Sequence, residues 1–158
     1  MNRDRKDLLK SFISFLESNN IFKFDVENFE SRLRLQKYVY LVKIFGFDLG
    51  YIFNLYIYGP YSSELAKDYY SLKNKQSEDL EDEIKERLLP FLDFVRDRDA
   101  GWLEVASTMI MLDRGGWTLE GMIERVKELK PYCGEDLIKG VAEELVRLGL
   151  LKGRIEIL

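Results

Sequence analysis

The side chains able to do chemistry in this 158-residue chain are 28 Asp or Glu, 24 Lys or Arg, nine Tyr and a single cysteine, with no histidine among them. Without an imidazole the chain lacks the commonest general base at neutral pH, and with it Ser-His-Asp and Cys-His catalysis in their usual forms. Cys133 has no partner for an intrachain disulfide, and one thiol without imidazole cannot supply the ligand set of a structural zinc site. Any catalysis would fall to carboxylates, lysine or tyrosine. The carboxylates follow no EF-hand spacing, and most occupy positions expected on solvated helix faces. A nuclease or hydrolase built on them would need acids such as Asp48, Glu64 and Asp68 gathered in one cleft. The expectation is a non-catalytic protein with no cofactor and no metal.

A second feature stands out against this charged background. Leu49 to Ser63 carries no charge, although 33% of the chain is charged, and it holds Tyr51, Phe53, Tyr56, Tyr58 and Tyr61. A bilayer span needs about 20 apolar residues. This stretch is shorter and contains Asn54, Gly59 and Pro60, so it reads as a buried strand, a partner surface, or both. The N-terminal Met-Asn-Arg-Asp-Arg-Lys-Asp lacks the apolar core of a signal peptide, which with the missing span gives an expected cytoplasmic location and no membrane contact. Net charge is −4. Residues 1–43 hold nine Lys or Arg against six acids, and residues 78–99 nine acids against four bases. Only a local patch could therefore meet nucleic-acid phosphate.

The elements that must position these residues follow from apolar periodicity and caps. Leu8, Leu9, Phe12, Ile13, Phe15 and Leu16 predict a helix over about 4–18. A second helix is predicted over about 31–45, with Ser31 as N-cap, Gly46 in the left-handed conformation after it, and an apolar arc (Leu35, Tyr38, Val39, Val42, Phe45) wide enough for burial on more than one side. Aromatic and β-branched residues predict a strand of about eight residues over Tyr51–Tyr58, buried on at least one face. Gly59-Pro60 breaks it, and Ser62 or Ser63 caps a helix over about 64–72. Residues 74–80 read as a linker. Further helices are predicted over about 81–89, broken by Pro90 and resuming to Val95, over 102–112, from Thr118 to Leu129, and over 135–148. Ile155 and Ile157 alternate as a short strand. The expected fold class is mainly α with a small β element, in one compact domain spanning 1–158, with subregions 1–73 and 81–158.

Helix, tight turn, helix and short strand in the second half follow the order of a winged helix-turn-helix. The outward positions of the second helix are Lys139, Gly140, Glu143, Glu144 and Arg147. Glutamates entering a groove lined by phosphates would be desolvated beside like charge, which favours winged-helix-like architecture used for packing or protein binding over DNA reading.

Arg34-Leu35-Gln36-Lys37-Tyr38-Val39-Tyr40-Leu41, followed by Tyr56-Ile57-Tyr58-Gly59-Pro60-Tyr61-Ser62, resembles the Leu-Gln-Lys helix and Tyr-Gly-Pro turn of Panacea antitoxin-like (SocA-like) domains. The link Gly46-Phe47-Asp48-Leu49-Gly50 and the Gly-Pro-Tyr-Ser-x-Glu-Leu helix start are similar to the prokaryotic YwgA-like proteins. The resemblance covers about residues 31–72. It implies a mainly helical bacterial or archaeal protein acting by direct contact with a protein partner such as a toxin, in an antitoxin-like or regulatory role.

The residues expected at a partner surface are Gln36, Lys37, Tyr40, Tyr56, Tyr58, Gly59, Pro60, Tyr61 and Ser62. Each also has a structural reading: core for Tyr40, turn for Gly59-Pro60, cap for Ser62. Gln36 could satisfy backbone groups at the Gly59-Pro60 turn, locking the two motifs together and leaving the surface to Tyr56, Tyr58 and Tyr61. An uncharged aromatic cluster suits the desolvated centre of a protein interface, with a protein partner or a second copy of the chain. The alternative is a transcriptional regulator placing Arg32, Arg34, Lys37 and Lys43 on duplex DNA phosphates.

Overall fold

Eight consecutive residues of helix α2 (Phe29–Ile44), Leu35 to Val42, are buried, so this helix is enclosed on all sides and has no solvated face along its middle. That explains its apolar breadth, and it places Gln36 and Lys37 inside the protein. The computed structural model describes residues 4–72 and 78–152. It comprises eight helices and a two-stranded sheet among the described residues, bearing out the mainly α class with a small β element.

The chain divides into two compact units. Of the described residues, one contains those up to Asn54 together with those between Tyr61 and Arg98, and the other contains Leu55–Pro60 and those from Asp99 onward. The division therefore falls near Asp99, not between 73 and 81, and the tip of a hairpin belongs to the later unit.

In the first unit, α1 (Arg5–Ser18), α2, α3 (Ser63–Tyr70), α4 (Asp82–Arg87) and α5 (Leu89–Val95) enclose a core rich in aromatic rings. Phe12 meets Phe91 at 6.0 Å and Phe47 at 6.3 Å, and Phe45 meets Phe94 at 5.4 Å, tilted contacts that suit ring quadrupoles. Helix α2 begins earlier than its sequence suggests. Asn28 is the N-cap, accepting from the Ser31 amide at 2.8 Å, while the Ser31 hydroxyl is engaged by the Asp25 amide at 2.8 Å. Gly46 has φ +97°, as a residue closing the last turn requires. Pro90 lies in the first turn of α5, where its missing N–H costs nothing. The described end of the expected linker is packed: the Ser11 hydroxyl donates to the Glu78 carbonyl, and Leu80 is buried. Residues 74–77 of that linker lie outside the described residues.

The predicted eight-residue strand is replaced by a short hairpin, β1 (Asn54–Tyr56) and β2 (Gly59–Tyr61), reversing at Ile57-Tyr58. Gly59 has φ +91° while Ile57 and Tyr58 stay at negative φ, the arrangement of a type I turn closed by a left-handed glycine. Ser62 must cap α3, accepting from the Leu65 amide at 3.2 Å, so β2 has only three residues with which to pair. Tyr51 to Phe53 find no neighbouring strand. Tyr51 is instead buried with its hydroxyl donating to Asp68 at 2.7 Å, and Ile52 is exposed.

In the second unit, α6 (Ala100–Arg114), α7 (Leu119–Leu129) and α8 (Glu135–Arg147) pack pairwise. Trp102 to Ile110 of α6 are buried without interruption, which makes it the central helix. Helices α7 and α8 are amphipathic, turning Met122 and Val126, and Ile138, Val141, Ala142 and Leu145, inward. Thr118 caps α7 by accepting from Gly121 at 3.1 Å. The expected strand at Ile155 and Ile157 lies outside the described residues. Among those described, no helix is long and apolar enough to cross a membrane.

Candidate functional site

A charged residue inside the second unit organises its most exposed apolar surface. Lys130 follows the last turn of α7 and is fully buried. Its ammonium donates to the Ile57 carbonyl at 3.0 Å and pairs with the Glu104 carboxylate of α6 at 3.4 Å. Glu104 is buried too, and its Oε1 accepts from the Tyr132 hydroxyl at 3.1 Å. Burial pushes the Lys130 ammonium below its ordinary range against the opposing pull of Glu104. The Tyr132 phenol is driven up by burial and by the Glu104 charge beside it. A lysine removed from water survives as a cation only where its charge and donors are met, and here a carboxylate and a carbonyl meet them.

The carbonyl that Lys130 holds belongs to the hairpin turn. Above this anchor the side chains point to solvent: Tyr56 is 53% exposed, Ile57 70%, Tyr58 45% and Tyr132 57%. The Tyr132 hydroxyl also lies 3.4 Å from the Ile57 oxygen, which places the connection between α7 and α8 beside the hairpin tip. Three tyrosines and an isoleucine gathered about an anchored turn present apolar area of the composition found at an interface centre.

Of the nine residues expected at a partner surface, Gln36, Lys37, Tyr40, Gly59, Pro60 and Ser62 are buried and offer no side chain to a docking protein. Gln36 performs the locking role two residues beyond Gly59-Pro60: its amide nitrogen donates to the Ser62 carbonyl at 2.9 Å, and its oxygen accepts from the Ser62 amide at 2.8 Å. Tyr40 packs edge-on against Phe53 at 5.3 Å. Tyr61 is half-buried, which leaves Tyr56 and Tyr58 as the exposed members.

The four cations expected on DNA do not all share one face of α2. Lys37 is buried. Arg34 donates to the Tyr38 hydroxyl at 2.6 and 3.0 Å, Arg32 donates to the Val26 carbonyl at 2.7 Å, and Lys43 lies 3.9 Å from Asp48. Glu64 and Asp68 are likewise committed, to Arg5 at 2.8 and 3.1 Å. Among the described residues no group of three or more Cys, Asp or Glu could hold a metal ion.

Sequence reasoning missed Glu104, Lys130, Tyr132 and Ile57. One signal was present: Glu104 is a lone charge within Trp102–Leu112, and a carboxylate in a buried helix requires a cation to come to it. No family model matches the chain, and no curated protein or solved structure matches it either.

Proposed function

We propose that the protein is a non-catalytic binding module of antitoxin-like or regulatory type, contacting a protein partner through the hairpin tip and the neighbouring Tyr132. The observation that carries this reading is the exposure of Tyr56, Ile57, Tyr58 and Tyr132 together over a fully buried ammonium. Exposed apolar groups scattered singly need no explanation, but several on one rigidly anchored loop do. A toxin is the partner class suggested by the resemblance of the 31–72 region to Panacea domains. Duplex DNA is the weaker choice. The outward face of α8 carries Glu143 and Glu144, its Lys139 pairs with Glu135 at 3.0 Å, and on α2 Lys37 is buried while Arg34 is bonded to the Tyr38 hydroxyl.

The test is affinity capture from the native cell extract with the wild type and with a Tyr56→Ala, Tyr58→Ala double variant whose folding is verified by circular dichroism. Any captured protein is then purified and titrated against both. A partner that binds the wild type directly and the variant at least about tenfold more weakly is expected, each hot-spot aromatic contributing about 2 kcal/mol. Equal binding to both chains removes the hairpin tip as the contact. Recovery of duplex DNA that is released as salt rises would move the function to gene regulation.

A further inference from the structure

Arg32 stands apart from Arg34, the other arginine of α2, in what it leaves unused. Its Nη1 donates to the Val26 carbonyl at 2.7 Å, fixing the guanidinium, and its Cζ lies 5.8 Å from the centre of the Phe29 ring and 5.7 Å from that of Tyr70. Both rings are more than half exposed. The Nε–H and Nη2–H edge meets no acceptor among the described residues, and no carboxylate among them pairs with this charge. A guanidinium held by one carbonyl and two rings is pre-oriented, and its remaining edge is the two-donor fork that matches a carboxylate.

The same arginine lines a cleft of about 200 Å³ in the first unit, with Phe29, Leu33, Gln36, Tyr61, Tyr69 and Tyr70. Pockets for drug-sized ligands begin at about 300 Å³, so this one suits a single ring or side chain. Gln36 is occupied with the Ser62 backbone, which leaves Arg32 as the cation of a lining whose other members are Phe29, Leu33 and three tyrosines that bring their rings and hydroxyls to it. One positive charge favours a monoanion over a phosphate dianion, and the ring-lined walls favour an apolar body attached to it.

We infer that the Arg32 cleft binds a carboxylate carried on one ring or short apolar chain, the Nε and Nη2 edge gripping the carboxylate while Phe29, Leu33 and Tyr70 take the apolar part. The site shares no residue with the hairpin tip and would give the protein a carboxylate ligand of its own.

Calorimetric titration of the full chain with N-acetyl-phenylalanine, its neutral amide and inorganic phosphate tests this. The acid should bind, with the amide and phosphate each at least about tenfold weaker, the loss expected for a missing charge-assisted pair. Arg32→Lys, which keeps the charge and removes the fork, should lose the acid by a similar factor at an unchanged melting temperature. Absence of acid binding, or equal binding of acid and amide, overturns the site. Phosphate binding as tight as the acid overturns the carboxylate assignment. Because acid and amide are compared on the native chain, the outcome does not depend on any variant folding.

Discussion

The Lys130 ammonium donates to the Ile57 carbonyl across 73 residues of sequence, so a buried charge fixes the turn of a hairpin that is otherwise only three residues long on each side. Two-stranded hairpins are marginal in water by themselves. The order of this one therefore comes from α6 and α7 of the same unit, through Glu104 and Lys130, as much as from its own ladder.

Lys130→Met should destabilise the protein by about 3–5 kcal/mol, because it leaves the Glu104 carboxylate buried without a cation. Adding Glu104→Leu to that variant should recover much of the loss, since two apolar side chains replace a pair that was expensive to desolvate. Urea denaturation of the two single variants and the double variant measures the coupling. A single-variant loss below about 1 kcal/mol would show that the ammonium is not the anchor described.

Gln36→Leu should cost about 1–3 kcal/mol, because the amide and carbonyl of Ser62, a fully buried residue, lose their partners. Gln36→Glu separates the two bonds. It keeps an acceptor for the Ser62 amide but turns a charged oxygen toward the Ser62 carbonyl, and it should be the more damaging change. Thermal melts of both variants decide, and an unchanged midpoint for either would contradict the clamp.

Stability should fall at alkaline pH. Burial, the largest cause, pushes the Tyr69 phenol up to about 12, with Gln36 acting against it and Tyr61 adding to it. The unfolded phenol loses its proton near its ordinary value of about 10. Between these values the unfolded state binds fewer protons, so the stability Tyr69 contributes is complete below about pH 10 and is lost as pH rises through about 12. The phenols of Tyr51 and Tyr132 are also raised and act in the same direction, while the lowered Lys130 ammonium acts oppositely. Denaturant midpoints measured from neutral to alkaline pH should show the fall, and Tyr69→Phe should make it shallower.

The partner contact at the hairpin tip should tolerate salt. Tyr56, Ile57, Tyr58 and Tyr132 carry no charge, so the dissociation constant should change less than about threefold between about 0.1 and 1 M salt, where the screening length shrinks from ~10 to ~3 Å. Titration of the purified partner at several salt concentrations supplies the answer. A steep linear fall of log affinity with log salt would instead mark contacts to phosphates.

The elements legible in the sequence are those set by local rules. Thr118 and Ser62 announce their helices because capping is decided within three residues, Gly46 ends α2 because few other residues accept its φ, and Pro90 starts a new helix for the reason that it cannot continue the old one. The hairpin is not legible because its turn residues, Ile57 and Tyr58, have the composition of a strand, and Gly59 resembles a break when it is in fact the closing residue of the turn. At the candidate site, Tyr56 and Tyr58 are readable as aromatic surface, whereas the pairing of Glu104 with Lys130 depends on how α6 and α7 pack, which no local pattern encodes. Lys37 reads as a surface cation because lysines are seldom buried, yet it lies on a helix enclosed on every side.

The order in which the chain is made gives the Lys130 anchor a further consequence. Translation proceeds at roughly 5–20 residues per second, so Ile57 is synthesised several seconds before the lysine that will hold its carbonyl. Throughout that interval the hairpin carries its exposed tyrosines with neither Glu104 nor Lys130 beneath them. The nascent chain therefore passes through a stage in which this tyrosine-bearing turn lacks its anchor, and a product terminated ahead of Lys130 would keep it so.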